Sequence, residues 1–235
     1  VRTKTFVESL ERKGNSVSAL LKTGDKVEQW TGDYCLVAIG VQGNVEGIGL
    51  DKIGIRPRNN SEIEVDQYYR TTVPGVYAIG DIIGPPWLAH VASHEGIVAA
   101  EHIAGLHPHP IDYKAIPGCT YCQPQVASIG LTEADARKTG QPIKIGKFPF
   151  SASGKAVATN ETDGFVKVII NEKTEEVLGV HIIHAEATEM IAEASIIKSH
   201  EGVATSVLNT IHAHPTLSEA MMEAMGDALG RAIHI

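Results

Sequence analysis

Three cysteines in 235 residues are too few for a disulfide framework, so reducing cytoplasm is the expected setting. No apolar run reaches the roughly 18 residues of a membrane span before His, Gly or a charged residue interrupts it. Basic clusters are missing too. With 20 Lys and Arg against 28 Asp and Glu, a net charge of -8 excludes the positive footprint that nucleic acid requires. Signal-peptide patterns, internal repeats and low-complexity segments are absent. So is a Gly-rich phosphate loop of the right order: Gly43, Gly47 and Gly49 do not link a strand to a helix and read as loop glycines. The start at Val1, without methionine and inside polar strand-like sequence, is expected of a fragment or processed product.

What is present is an ordinary globular composition, 43% hydrophobic and 20% charged, enough for one large or two smaller domains. Short strands are predicted over 1–10, 16–23 and 34–39, divided by turns at Lys13-Gly14-Asn15 and Thr23-Gly24-Asp25. The apolar run from Asp33 to Gly40 has the pattern of a buried strand whose terminal glycine permits close approach to the backbone. A fourth short strand is expected over 62–65. Val76 to Ile79 reads as another buried strand, ended by Gly80, with Asp81 at its carboxyl end where open α/β sheets place ligand contacts. Asp81 reads equally as a turn or cap residue.

A helix is predicted from about Trp87-Leu88-Ala89-His90 to Ile103, ending at Gly105. Its N-terminal N–H groups favour anionic or electron-rich ligand atoms. Gly105 to Tyr113, with Pro108 and Pro110, is the best domain boundary. Beyond it the pattern is α+β. Strands are expected over 126–130 and 142–150, a helix over 132–138, and a hairpin pairing 164–171 with 177–183. Further helices span about 186–199 and 203–208, with Met190, Ile191, Ala194 and Ile197 at helical spacing.

Chemistry concentrates in Ile211-His-Ala-His-Pro-Thr-Leu-Ser-Glu-Ala220. Pro215 fixes its own φ and keeps His214 out of the helical region, just ahead of a helix expected to start at Thr216 and run to Leu229. Glu219, five residues on, can return its carboxylate to the imidazole, fixing the tautomer and raising the basicity of the other nitrogen. The same spacing, Thr216-x-x-Glu219, is a capping box that needs no catalysis. The other ten histidines show no comparable context and read as packing or surface residues. Cys119-Thr-Tyr-Cys122 lacks a second pair for zinc and does not open a thioredoxin-like helix, so the thiols read as structural, and no metal site is expected.

The 211–220 stretch resembles the C-terminal signature of the flavin-dependent pyridine nucleotide-disulfide oxidoreductases, most closely their lipoamide-linked branch. In the same family terms, Thr71-x-x-x-x-Tyr-Ala-Ile-Gly-Asp81 is similar to the second flavin motif. The resemblance implies that 1–40 is the C-terminal end of an α/β NAD-binding domain, 41–110 a central FAD-contacting segment, and 111–235 an α+β interface domain that forms a homodimer. It implies His214 as acid/base with Glu219 orienting it, and Gly40 beside the nicotinamide of NAD. Asp81 would contact the ribityl chain of FAD, and Trp87, Leu88, Ala89 and His90 would meet its ring through the backbone. The implied reaction is oxidation of dihydrolipoamide with NAD as acceptor, on lipoyl groups of 2-oxo acid dehydrogenase complexes. Residues 41–44, Cys122 and Gln125 depart from the family pattern, and the family's own redox cysteine pair is missing. Two rivals stand beside this reading: a dimerisation module without turnover, and a related disulfide reductase acting on glutathione or mercuric ion. The mercuric version is disfavoured by Gly230-Arg-Ala-Ile-His-Ile235, which has no cysteine pair, and the glutathione version by Leu217-Ser218-Glu219-Ala220.

Overall fold

The computed structural model describes residues 1–58 and 61–235. The chain opens with an antiparallel meander of β1 (Thr5–Lys13), β2 (Ser16–Thr23) and β3 (Lys26–Gly32). Both predicted turns are there, with Gly14 and Gly24 at positive φ. The turn at Gly24-Asp25 connects a hairpin, pairing Thr23 with Lys26, and so creates β3, which has no strand signal of its own.

From Asp33 to Leu88 the chain departs from the expected strands. Tyr34 to Ile39 forms no strand, and Leu36 and Ile39 are 90% and 95% exposed. A fully buried strand needs neighbours on both edges, and no described segment pairs with this one. Residues 62–65 form no strand either, and Val76 to Ile79 contributes only an isolated bridge between Arg70 and Tyr77. What orders this region is a small core of Val45, Ile55, Ile63 and Ala78, followed by a 3-10 turn at Gly80–Ile83.

Helix α1 (Ala89–Ile103) follows, and Gly105 closes it at positive φ as expected. The remainder is one antiparallel sheet in the order β4 (Gly118–Thr120), β5 (Gln125–Gly130), β8 (Val177–His184), β7 (Phe165–Asn171), β6 (Ile143–Pro149). Two short helices, α2 (Glu133–Lys138) and α3 (Gly154–Thr159), lie between strands, with Thr132 and Ser153 as N-caps. Three more helices follow β8: α4 (Ala187–Ser199), α5 (Ala204–Asn209) and α6 (Glu219–Ala228). Phe148, Phe150, Val166, Val168, Val180 and Ile182 are buried between sheet and helices with Met221 and Met225 of α6. Each such side chain contributes about 1.5–3 kcal/mol of burial.

Gly146 explains how closely α6 approaches. A Cβ there would run into the Ala224 carbonyl and Ala228, so the helix backbone rests directly on β6. Asp227 locks that placement by accepting a hydrogen bond from the Lys147 N–H at 2.8 Å. The start of α6, where Glu219 sits, is thereby fixed to the sheet.

Candidate active site

The turn from Ala213 to Ser218 is held by its own polar groups. The Thr216 hydroxyl donates to the Ala213 carbonyl at 2.7 Å, and the Ser218 hydroxyl donates to Thr216 Oγ1 at 3.3 Å. Helix α6 therefore starts at Glu219 with Ser218 as N-cap, three residues later than Thr216, because the threonine oxygen is engaged backwards. Only half of the capping box forms: Glu219 Oε2 accepts the Thr216 N–H at 2.8 Å. Its other oxygen, Oε1, lies 2.9 Å from His214 Nδ1. One carboxylate thus serves both functions, and the capping and orienting readings are not exclusive.

The geometry suits proton transfer. A carboxylate at Nδ1 takes the Nδ1–H and leaves the Nε2 lone pair as acceptor. Nε2 makes no hydrogen bond among the described residues, and the His214 side chain is 77% exposed while that of Glu219 is 23% exposed. Burial pushes the Glu219 carboxyl up, but the Thr216 N–H, the His214 hydrogen bond and the positive charges of His214 and His234 pull it net below the usual range. Glu219 is thereby favoured as the anion beside the His214 ring. The His214–Pro215 peptide is cis.

A second group of predicted residues gathers around the start of α1. Gly80 has φ 74°, and the exposed Asp81 carboxylate makes no hydrogen bond among the described residues. Leu88 is the N-cap of α1 without a side-chain cap, and the N–H groups of Ala89 and His90 find no partner among the described residues. Trp87 is partly exposed beside them. Unpartnered N–H groups at a helix start, an open carboxylate and adjacent apolar surface fit a ligand with hydroxyls on one side and an electron-rich ring edge on the other. The His90 ring Nε2 instead lies 3.3 Å from the Pro117 carbonyl, tying α1 to the strand region that follows. Gly40 has φ 118° in an exposed segment with open space over its Cα.

No hydrogen bond or ion pair among the described residues joins 80–90 to 214–219. Gly43, read as a loop glycine, is more constrained than that. A Cβ there would overlap the Ser61 carbonyl and press on Ile82, so its loop is packed onto the turn that carries Asp81. Gln125 also gains a role, its Oε1 accepting from the Thr188 N–H at 3.0 Å and the Thr188 hydroxyl at 2.8 Å, which caps the first turn of α4. A carboxamide 63 positions away leaves no local signal.

All three cysteines are free. Burial, with the Glu189 charge adding to it, pushes the Cys119 thiol up despite a hydrogen bond from Tyr121. Such a thiol is a poor nucleophile. Cys122 Sγ is 3.1 Å from the Pro124 carbonyl, to which it donates. A cavity of about 600 Å³ between α1 and α4 includes His90, Cys119 and Ile191 in its wall, but neither Asp81 nor His214. No group of three or more potential metal ligands exists among the described residues. No helix of the described residues is long and apolar enough to cross a membrane.

Comparison with known proteins covers most of the chain. Residues 1–96 match the family described as pyridine nucleotide-disulphide oxidoreductase, and residues 116–225 match its dimerisation domain. The dihydrolipoyl dehydrogenase of Rhizobium etli is 47% identical over 99% of this chain and 48% of that protein. That of Zymomonas mobilis is 48% identical over 100% of this chain and 50% of that protein. The chain thus spans about half the length of the curated relatives it matches. Among solved structures, LpdA from Mycobacterium tuberculosis superposes with a TM-score of 0.87 at 25% identity, covering 94% of this chain and 48% of that one. The HOCl-induced flavoprotein disulfide reductase RclA from Escherichia coli gives 0.85 at 23% identity, over 94% of this chain and 50% of that one, a likeness of fold.

Proposed function

Because the chain belongs to the pyridine nucleotide-disulphide oxidoreductases, we propose that it is the C-terminal part of a flavoprotein that oxidises dihydrolipoamide to lipoamide with NAD as acceptor. The observation that carries the reading is the His214 Nδ1 to Glu219 Oε1 hydrogen bond at 2.9 Å, with Nε2 free and exposed. In this reading Nε2 takes the proton of a substrate thiol. The S–H bond breaks, an N–H bond forms, and the sulfur keeps the electron pair as the thiolate that attacks disulfides. Glu219, held anionic by Thr216 N–H and His214, stabilises the imidazolium that results.

FAD is assigned to the turn and helix start already described. Asp81 would accept from ribityl hydroxyls, and the N–H groups of Ala89 and His90, framed by Trp87 and Leu88, would face the ring edge. Bound there, FAD supplies the two-electron acceptor. Gly40, with nothing over its Cα, is assigned to the NAD side. The assigned units are 1–40 for the end of the NAD-binding domain, 41–110 for the FAD-contacting segment and 111–235 for dimerisation. No hydrogen bond or ion pair among the described residues joins 80–90 to 214–219 within one chain, and a homodimer offers the way to bring base and flavin together. The partners would be lipoyl groups of 2-oxo acid dehydrogenase complexes.

The test is an assay of the flavin-loaded protein that contains this chain, offered dihydrolipoamide with NAD and, separately, glutathione disulfide with NADPH. Dihydrolipoamide-dependent NADH formation with no glutathione reduction is expected. The reverse pattern would refute the substrate assignment.

A further inference from the structure

We infer that Glu95 is a positioning residue of the flavin site, a buried clamp that fixes the Asp81 turn to helix α1; the inference rests on the flavin reading above. Glu95 is 3% exposed in the middle of α1, where a carboxylate is costly unless both oxygens are engaged. Both are. Oε2 accepts the Gly80 N–H at 2.7 Å, immediately before Asp81, and Oε1 accepts the Tyr113 hydroxyl at 2.7 Å. Tyr69 Oη lies 3.2 Å from Tyr113 Oη, extending the network to the loop that bridges Arg70 with Tyr77.

The direction of the hydrogen bonds follows from the tyrosines. Burial, then the hydrogen bond to Glu95, push the Tyr113 hydroxyl far above its ordinary value, so it stays protonated and donates to the carboxylate. Tyr69 then donates to Tyr113. No buried side-chain nitrogen or oxygen among the described residues is left without a partner.

The helix face around Glu95 is shaped for the same turn. Ala92, Glu95 and Gly96 stand at helical i, i+3, i+4 spacing. A Cβ on Gly80 would stand 3.4 Å from the Ala92 Cβ, and one on Gly96 would stand 3.3 Å from Ile79 Cδ1. Small residues thus admit the turn, and Glu95 binds its backbone. The free N–H groups of Ala89 and His90 belong to the same rigid helix. Glu95 therefore sets the distance between the carboxylate and the N–H groups assigned to one ligand. Preorganising both halves of a site lowers the ordering cost of binding.

The experiment compares Glu95→Ala with Glu95→Gln in the flavin-loaded protein, reading FAD dissociation by flavin fluorescence and the bound-flavin signal by visible circular dichroism. The amide of Gln can still accept from Gly80 while its NH2 donates to the Tyr113 oxygen. Glu95→Ala is expected to weaken FAD retention by about tenfold or more and alter the dichroism, while Glu95→Gln stays within about threefold. A folded Glu95→Ala protein with unaltered FAD affinity and dichroism overturns the inference, as does a Gln variant no better than Ala. If the Ala variant does not fold, hydrogen exchange decides. In the unsubstituted protein stripped of flavin, the Gly80 amide should be strongly protected relative to the Asp81 amide, and equal exchange at the unprotected rate overturns the clamp. An unsubstituted protein that binds no FAD would sink the functional reading instead, and the exchange measurement would still judge the clamp.

Discussion

Tyr34-Cys-Leu-Val-Ala-Ile39 and Phe165-Val-Lys-Val-Ile-Ile170 are both strand-type sequences, yet they end in opposite states. The second is β7, flanked by β6 and β8, with Val166, Val168 and Ile170 wholly buried. The first runs unpaired, with Tyr34, Leu36 and Ile39 at least nine-tenths exposed. Intrinsic preference is similar in the two, so the difference is made by neighbours: a strand with partners on both edges buries its side chains, and one without them does not. The sheet of the dimerisation region therefore buries its central strands within the chain, while the segment before α1 leaves a strand-type run that no described element covers.

Stability measurements sharpen that contrast. In the 235-residue chain, Phe150→Ala, which empties a fully buried site, is expected to cost about 3–5 kcal/mol, whereas Leu36→Ala should change stability by less than about 0.5 kcal/mol. Denaturant melts read both, and comparable losses would break the comparison.

A smaller effect concerns α6. Burial pushes the Glu223 carboxyl up, but His234 and the Ile233 and His234 N–H groups bring it net below its ordinary value. A lowered folded value means the carboxylate stabilises the fold above the unfolded pKa, about 4.3, and loses that contribution as pH falls through the lower folded value. Wild type should therefore melt above Glu223→Gln at pH 7, with the gap closing as pH drops below about 4. A gap that persists unchanged at pH 3 would contradict the assignment. Smallest of all, Cys119→Ser with Cys122→Ser should leave turnover within about threefold, since a raised and a turn-bound thiol do no redox work. A hundredfold loss in the same turnover assay would place these cysteines in the chemistry.

What could be read from the chain alone tracks how local the cause is. Helix α1, the 165–184 hairpin and α4 follow from periodicity and turn residues within a few positions. The His214 and Glu219 pairing was legible because five residues and a proline set it. Glu95 was not, since a glutamate in mid-helix looks solvated until Gly80 and Tyr113, 15 and 18 positions away, are seen to enclose it. Gly43 and Gln125 were hidden for the same reason: what constrains each lies across the fold. The unpaired 34–39 segment shows the converse, a correct pattern whose outcome depended on partners.

His214, oriented by Glu219, is the base in the proposed reaction. Stopped-flow reduction of the flavin by dihydrolipoamide in the full flavin-loaded protein tests it, with melting temperatures taken on the same samples. His214→Ala should slow reduction by roughly 10²- to 10⁴-fold with little loss of stability, and Glu219→Gln by less, because the amide orients the ring without stabilising its charge. If the turn served only as a helix start, Glu219→Ala would cost about 1 kcal/mol of stability. His214→Ala would then be reduced at the wild-type rate, and that result would contradict the account.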